Sequence, residues 1–388
     1  MSEIKVNSIK GVSASTAAIS IDNSSGTCTA NITNNLSNRN LIINGAMQVA
    51  QRGTTSTADG YHTVDRFQMN YGGEDNVPTQ EHETIGSGTE PYNLGFRRSY
   101  KIVNGNQTSG LGSGDYMFLR TRLEAQDIAN SGWNYTSASS FITLSFWVRS
   151  SVAQVFNARL VTEDGTAYNY PFQYTIASAN TWQKVTQSIS GNSNLQFDEN
   201  NNLGLTIFWD LARGTNFTDN SVTNDAWAAF ASGTRSKDSV STWYTTNLAT
   251  LQITGVQLEV DHTGSGVATD FEHRPYAQEL ALCRRYCQVY LNPKLRGVLT
   301  SANTQFQRMG MPLLETMRAD PSATWSGSQG VYDGAVTALI TGINVSYPDP
   351  NSYEFDSTTS GSLTNGAGAA VVAFTGNDEG TLTLSAEL

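Results

Sequence analysis

The chain has 388 residues, of which only 15% are charged, and a formal net charge of −11. That balance excludes a nucleic-acid backbone as partner, because phosphates are neutralised by clustered Lys and Arg, and no basic run exists here. The length suffices for two or three domains, and 10% aromatics among abundant Ser, Thr, Asn and Gly suit many short strands with polar turns, so an all-β architecture is expected.

The opening Met1-Ser-Glu-Ile-Lys-Val-Asn-Ser-Ile-Lys10 has no apolar core of signal-peptide length, and nowhere does an uninterrupted hydrophobic run approach a membrane span. A soluble protein made in a cytoplasm, without membrane insertion, is expected. Residues 1–38 alternate only weakly, at Ile4 and Val6 and at Ile19 and Ile21. Such a segment buries almost nothing alone. It orders only against neighbours, either other copies of itself or a larger assembly on which it docks, or it is a leader without a role.

Residues 39–275 read as strands. In Phe141–Ser150 the period of two sets Ile142, Leu144, Phe146 and Val148 on one face and Thr143, Ser145, Trp147 and Arg149 on the other. Phe156–Val161 turns at Glu163-Asp-Gly165 into Tyr168–Tyr174, a hairpin signal. Leu205–Leu211 sends Leu205, Ile207, Trp209 and Leu211 inward and leaves Thr206, Phe208 and Asp210 outside. In Leu251–Val260 the apolar phase shifts between Ile253 and Val256, which a bulge at Gly255 explains, and Gln252, Gln257 and Glu259 fall on the polar face. Strands this numerous indicate a β-sandwich whose strand order stays open.

Pro275 ends the extended segment, and a short helix is expected over 276–292. Tyr276, Leu280, Cys283, Cys287 and Tyr290 recur with the spacing of a heptad seam, two heptads long. Two readings stand: a helix lying on its own sandwich, or the axis of a threefold bundle. Residues 293–388 return to strands, at Arg296–Leu299, Val336–Ile343, Ala369–Phe374 and Thr381–Leu384, as a small C-terminal β domain whose turns at Asn365–Gly368 and Gly376–Gly380 suit a distal tip.

Candidate chemistry is sparse. Cys28, Cys283 and Cys287 cannot all pair within one chain, and neither zinc-ribbon nor redox spacing is present, so buried free thiols, no metal and no cofactor are expected. His62 and His273 sit among Asp65, Arg66, Glu272 and Arg274, which read as fixing loop geometry. No nucleophile motif appears, and the acidic pairs Glu74-Asp75 and Glu163-Asp164 lie in turns, so catalysis is not expected. The better candidate is a glycan site on the outward sheet face, with Trp147 and Arg149 joined by Phe208, Asp210, Gln257 and Glu259 if the strands bring them together. The alternative is that Trp147 packs under a loop or against another subunit.

Five segments share a further resemblance: Met1–Gly11, Asn40-Leu-Ile-Ile-Asn-Gly-Ala-Met47, Gly60-Tyr-His-Thr-Val-Asp-Arg-Phe67, Thr254-Gly-Val-Gln-Leu-Glu-Val260 and Thr269-Asp-Phe-Glu-His-Arg-Pro-Tyr276. Together they resemble a family of bacteriophage fibre and virion appendage proteins, common in marine phages, whose middle domain is similar to a carbohydrate-binding jelly roll. Met311–Pro321 resembles the linker before such proteins' terminal β domain. The resemblance implies a jelly-roll-like β-sandwich in a homotrimeric fibre, joined to other virion proteins by residues 1–38. It implies adhesion to a host cell-surface receptor, a glycan. A non-adhesive capsid or tail decoration protein and a glycan-cleaving tailspike are the alternatives.

Overall fold

The computed structural model describes residues 38–388 except 263, 294, 302–304, 336, 362, 365–366 and 374–379, and, of the first 37, residues 6–9, 12, 19–21, 24 and 28–30. Most of the leader and the turns proposed as a distal tip therefore lie outside the described residues. The fold is mostly β, 41% strand against 7% helix, as the composition predicts.

Three short leader strands, β1 (Ser8–Ile9), β2 (Ile19–Ile21) and β3 (Cys28–Ala30), pair antiparallel in that order. Twelve strands follow: β4 (Thr55–Ser56), β5 (Phe67–Gly72), β6 (Thr79–Thr84), β7 (Arg98–Val103), β8 (Tyr116–Glu124), β9 (Phe141–Ser150), β10 (Val155–Thr162), β11 (Tyr168–Thr175), β12 (Gln183–Ser190), β13 (Leu203–Arg213), β14 (Ala228–Ala229) and β15 (Thr250–Asp261). They form two six-stranded antiparallel sheets, β12-β9-β15-β7-β6-β4 and β14-β11-β10-β13-β8-β5, packed as a sandwich.

The inward sets read from alternation meet between the sheets. Ile142, Leu144, Phe146 and Val148 of β9 and Leu205, Ile207, Trp209 and Leu211 of β13 are all buried in one cluster. Phe146 meets Trp209 edge to face at 5.7 Å, and Phe67 tilts against the same indole at 6.2 Å. Each such side chain contributes roughly 1.5–3 kcal/mol through the apolar area it removes from water. The bulge lies where the phase shift predicts it. The β9–β15 register slips between Thr254 and Gln257, with Gly255 at φ +61°. A side chain there would meet Phe96 Cζ at 2.7 Å and Trp147 Cδ1 at 3.1 Å, so glycine is required on both conformational and steric grounds.

The signature segments are structural. Asn44 adopts a left-handed backbone (φ +60°), and its amide bonds the Val49 and Asp65 carbonyl oxygens at 2.9 Å each. Beyond Ile253, where β15 leaves β7, Leu41 N–H and Gly45 C=O pair with Leu258 and Val256 at 2.9 Å. Glu272 accepts the Asn40 N–H at 2.8 Å, and Arg274 donates to the Ile42 carbonyl at 3.0 Å, so these charged residues do fix loop geometry.

The helix is shorter than the heptad pattern predicts. Three brief helices, α1 (Glu90–Asn93), α2 (Ala125–Ala129) and α3 (Thr242–Thr245), precede α4, which spans only Tyr276–Arg284. Cys287 and Tyr290 belong instead to β16 (Cys287–Leu291), so the seam Tyr276, Leu280, Cys283, Cys287 and Tyr290 does not exist as one helical stripe. Two local causes end the helix. Arg285 grips Glu124 through two 2.8 Å bonds with Tyr286 donating at 2.6 Å, and Cys287–Leu291 gain a complete ladder against Ser385–Thr381. Cys283 and Cys287 are buried free thiols facing their own chain, while Tyr276 is exposed. The helix thus lies on its own sandwich, with Glu279 buried beneath it and accepting the Asn44 N–H.

The C-terminal strands are β17 (Arg296–Ser301), β18 (Gln305–Pro312), β19 (Ser322–Ser326), β20 (Gln329–Tyr332), β21 (Thr337–Pro348), β22 (Ser352–Thr359), β23 (Gly368–Ala373) and β24 (Thr381–Ser385). Six close a barrel, β17-β18-β22-β21-β20-β23, and β16-β24-β19 form a separate small sheet. Met311–Pro321 starts in the last two residues of β18 and runs to the start of β19, inside this part of the chain and not ahead of it. The small sheet is tied back to the sandwich by ion pairs from Arg52 and Arg66 to Glu387.

Candidate ligand groove

The outer face of the β9 sheet is divided. Register sets Arg149 opposite Gln252, Gln252 opposite Lys101 and Lys101 opposite Glu81, so one cross-strand row carries all four. Two residues along, a second row carries Lys184, Trp147 and Thr254. In the second row Trp147 and Thr254 are buried, while Arg149, Lys101 and Glu81 of the first are partly exposed.

Trp147 is 5% exposed, packed with Ala46, Ile85 and Phe96, and with Tyr92, Trp182 and Phe271 around them. Phe271 arrives on the segment 269–272, which is pinned by the outer-face side chains of β15. Glu259 accepts the Thr269 N–H at 2.9 Å and Gln257 accepts the Glu272 N–H at 2.8 Å. Gln257 and Glu259 are therefore buried anchors of a covering loop. Trp147 is not a surface platform. Alternation identifies the side of a sheet on which a residue lies but not what crosses above it.

Phe208 and Asp210 lie on the other sheet altogether, on the outer face of β13, and both are buried. Arg159 stacks over the Phe208 ring at 3.5 Å, and Arg213 donates to Asp210 at 2.6 Å. The six glycan candidates thus do not converge. Of them, Arg149 lines an open space.

That space is a groove of about 520 Å³. Its floor is Arg149 and Gln252, one wall is Asn180, Thr181 and Trp182, and the other runs from Thr84 and Ile85 to Thr89 and Glu90. Trp182 stands one step beyond the last β9–β12 pair, Val148 with Gln183, which sets it alongside Arg149. Its indole rests partly on the Trp147 cluster and presents the remainder to the groove. Asn180 holds a left-handed turn (φ +60°) that aims its carbonyl oxygen at Arg149 Nε, 2.9 Å away. The terminal guanidinium nitrogens have no partner among the described residues. Gln252 is only 8% exposed, yet its side-chain amide bonds to no described residue. Glu90, exposed at the start of α1, supplies a carboxylate on the far wall.

A flat indole, a donor-only guanidinium, an amide that both donates and accepts, and an acceptor-only carboxylate suit a ligand with an apolar ring face and a rim of hydroxyls. Trp182, Asn180 and Glu90 escape sequence reasoning because all three sit in or beside loops. Gln252 was legible as outward-facing, but its pairing with Arg149 needs the register. Among the described residues, no cluster of three or more His, Cys, Asp or Glu is placed to hold a metal ion.

No protein-family model matches the sequence, and no curated protein does. Solved structures similar to the chain include the enzymatically active domain of tailspike protein 4 of bacteriophage CBA120 (TM-score 0.30, 10% identity), over 57% of this chain but only 21% of that one. A putative sugar binding protein of Bacteroides thetaiotaomicron is similar over 57% of this chain and 100% of its own (TM-score 0.30, 13% identity). The family 11 carbohydrate-binding module of Clostridium thermocellum, solved with a mixed-linked tetrasaccharide, is similar over 57% and 98% respectively (TM-score 0.27, 9% identity). The chain is thus distantly similar in structure to carbohydrate-binding modules and to a phage tailspike domain, with no sequence family identified.

Proposed function

We propose that the chain is a glycan-binding subunit of a phage virion appendage, with the groove between Trp182 and Glu90 as its saccharide site. One observation carries the reading. Gln252, almost wholly buried and without a hydrogen-bond partner in the described chain, opens beside Arg149 into a groove walled by a tryptophan. Its amide opens to the groove, where a ligand hydroxyl takes the place of water. The virion part is supported by the resemblance carried by Asn40–Met47, Gly60–Phe67 and Thr254–Tyr276. It brings with it a homotrimer, attachment to other virion proteins through residues 1–38, and adhesion to a host cell-surface glycan. The groove wall offers one carboxylate, Glu90, where paired-carboxylate glycosidic cleavage takes two, which favours binding over hydrolysis.

The test is a glycan array of the purified protein beside its Trp182→Ala variant, with reducing-end release from host polysaccharide measured in parallel. Binding that fades in the variant supports the assignment. Binding to no saccharide leaves decoration of the particle as the role, and released reducing ends make the chain a hydrolase.

A further inference from the structure

The opposite sheet carries a second constellation, unconnected with the groove. On the outer face of β10 and β13, Arg159 and Arg213 converge on Asp210, at 3.4 and 2.6 Å, with side chains 2% and 1% exposed. Arg235, from the segment that follows β14, makes no ion pair with that carboxylate among the described residues; burial and the Arg213 charge lower its guanidinium, against the pull of Asp210. Among the described residues two guanidiniums thus share one carboxylate with a third nearby, in a chain whose net charge is −11.

Their donors exceed their acceptors. Arg213 Nη2 and Arg235 Nε are buried and meet no acceptor in the described chain. Phenylalanine rings take part of the load: Arg159 over Phe208 at 3.5 Å, Arg213 over Phe118 at 4.4 Å, and Arg235 between Phe217 at 4.8 Å and Phe230 at 5.6 Å. Ring faces relieve cationic charge but do not replace an in-plane oxygen acceptor. Burial, together with the Arg213 and Arg235 charges and against the pull of Asp210, lowers the Arg159 guanidinium to about 9. Like charges are held here at a cost to the fold. Arg235 is the accessible member, half-buried beside Phe230, which is 38% exposed.

We propose that this face, at Arg235 and the buried Arg213 behind it, is an anion site that takes the carboxylate of an acidic saccharide. A ligand carboxylate accepts from the part of the Arg235 guanidinium that reaches solvent, where bidentate geometry suits it and Phe217 and Phe230 flank it with apolar surface. The site stands whether or not the groove binds a glycan.

The probe is glucuronate, with glucose as the neutral control and sodium chloride added to equal ionic strength. Glucuronate raises the melting temperature of the full chain above that in glucose, since a ligand bound only by the folded state stabilises it. Arg235→Gln abolishes this shift, with affinity falling about tenfold or more for one charge-assisted contact. Trp182→Ala retains it. Arginine Nε–H resonances in the unmutated chain give a readout that survives a misfolding variant: the Arg235 signal moves with glucuronate and not with glucose. An equal response to glucose, no response, or a shift that outlasts Arg235→Gln overturns the proposal. A shift lost in Trp182→Ala instead assigns glucuronate to the groove and overturns it equally.

Discussion

Arg149 and Gln252 face each other across the β9–β15 ladder and open together into the groove, whereas Trp147, two residues before Arg149 on the same face, is sealed beneath Phe96 and Phe271. The boundary between an accessible and a buried outer face thus falls within a single strand.

Trp182→Ala and Trp147→Ala separate the two sides of that boundary. Stacking a sugar on Trp182 removes about 60 Å² of apolar surface from water, about 1.5 kcal/mol at roughly 25 cal/mol/Å², so the variant binds about tenfold more weakly. It loses only the packing that rests on the Trp147 cluster, so its stability falls less than that of Trp147→Ala. Trp147→Ala empties a packed site and costs about 3–5 kcal/mol, the range for a buried aromatic. Titration calorimetry and urea unfolding on both variants decide. A Trp182 variant with unchanged affinity removes the groove assignment.

Much of the fold is legible in the residues themselves. Alternation in Phe141–Ser150 and Leu205–Leu211 identifies two strands and their core faces, and the phase slip before Val256 locates the bulge. The second layer is not legible, because period two is a property of one strand and carries no information about Phe271 or Arg159 crossing above it. The segment Cys287–Leu291 fails for a related reason. Cys-Gln-Val-Tyr-Leu suits a heptad or a strand, and the decision rests with a ladder partner near the far end of the chain, Thr381–Ser385. The site follows the same rule. Arg149 is found because it lies in a regular strand, while Trp182 and Glu90 need tertiary structure.

Gly255 combines two demands that a pair of substitutions separates. Alanine there meets a left-handed backbone, costing about 1–2 kcal/mol, and a ring at 2.7 Å, whose overpacking costs about 1–3 kcal/mol more. Gly88 also has a positive φ, +83°, but a Cβ there meets nothing within 4 Å, so Gly88→Ala bears the backbone cost alone. Urea unfolding should therefore place Gly255→Ala below Gly88→Ala by about 1–3 kcal/mol. Equal losses would mean that Phe96 and Trp147 yield freely.

Asp65 gives the stability a pH dependence of definite sign. Burial raises its carboxyl from 3.8 to about 6, against the opposing pull of Arg52 and the Gln51 hydrogen bonds. A group whose folded value is raised binds its proton more tightly in the native state, so its contribution is full below about 3.8 and is lost as pH rises through about 6. Two units correspond to about 3 kcal/mol. Asp65→Asn lacks the titration. The parent's stability relative to this variant should fall by about that amount between pH 3.5 and 7, read from unfolding free energies at both ends. A constant difference would show that Arg52 and the Gln51 hydrogen bonds cancel the effect of burial and leave the carboxyl at its ordinary value.

Assembly moves to the other end of the chain once α4 is only nine residues long and rests on its own sandwich. The strands β1 to β3 have two or three residues each, too short for independent stability, and Val6, Ile9 and Val12 are exposed. In the proposed trimer these apolar side chains would reach burial through other copies, which closed cyclic symmetry would supply to every subunit alike. Light scattering should report three chains for the full protein and one after deletion of residues 2–38, with the sandwich still melting cooperatively. Leu280→Asp on α4, which a helical seam would make disruptive, should leave the mass unchanged. A trimer that survives the deletion but dissociates on Leu280→Asp would return the axis to the helix.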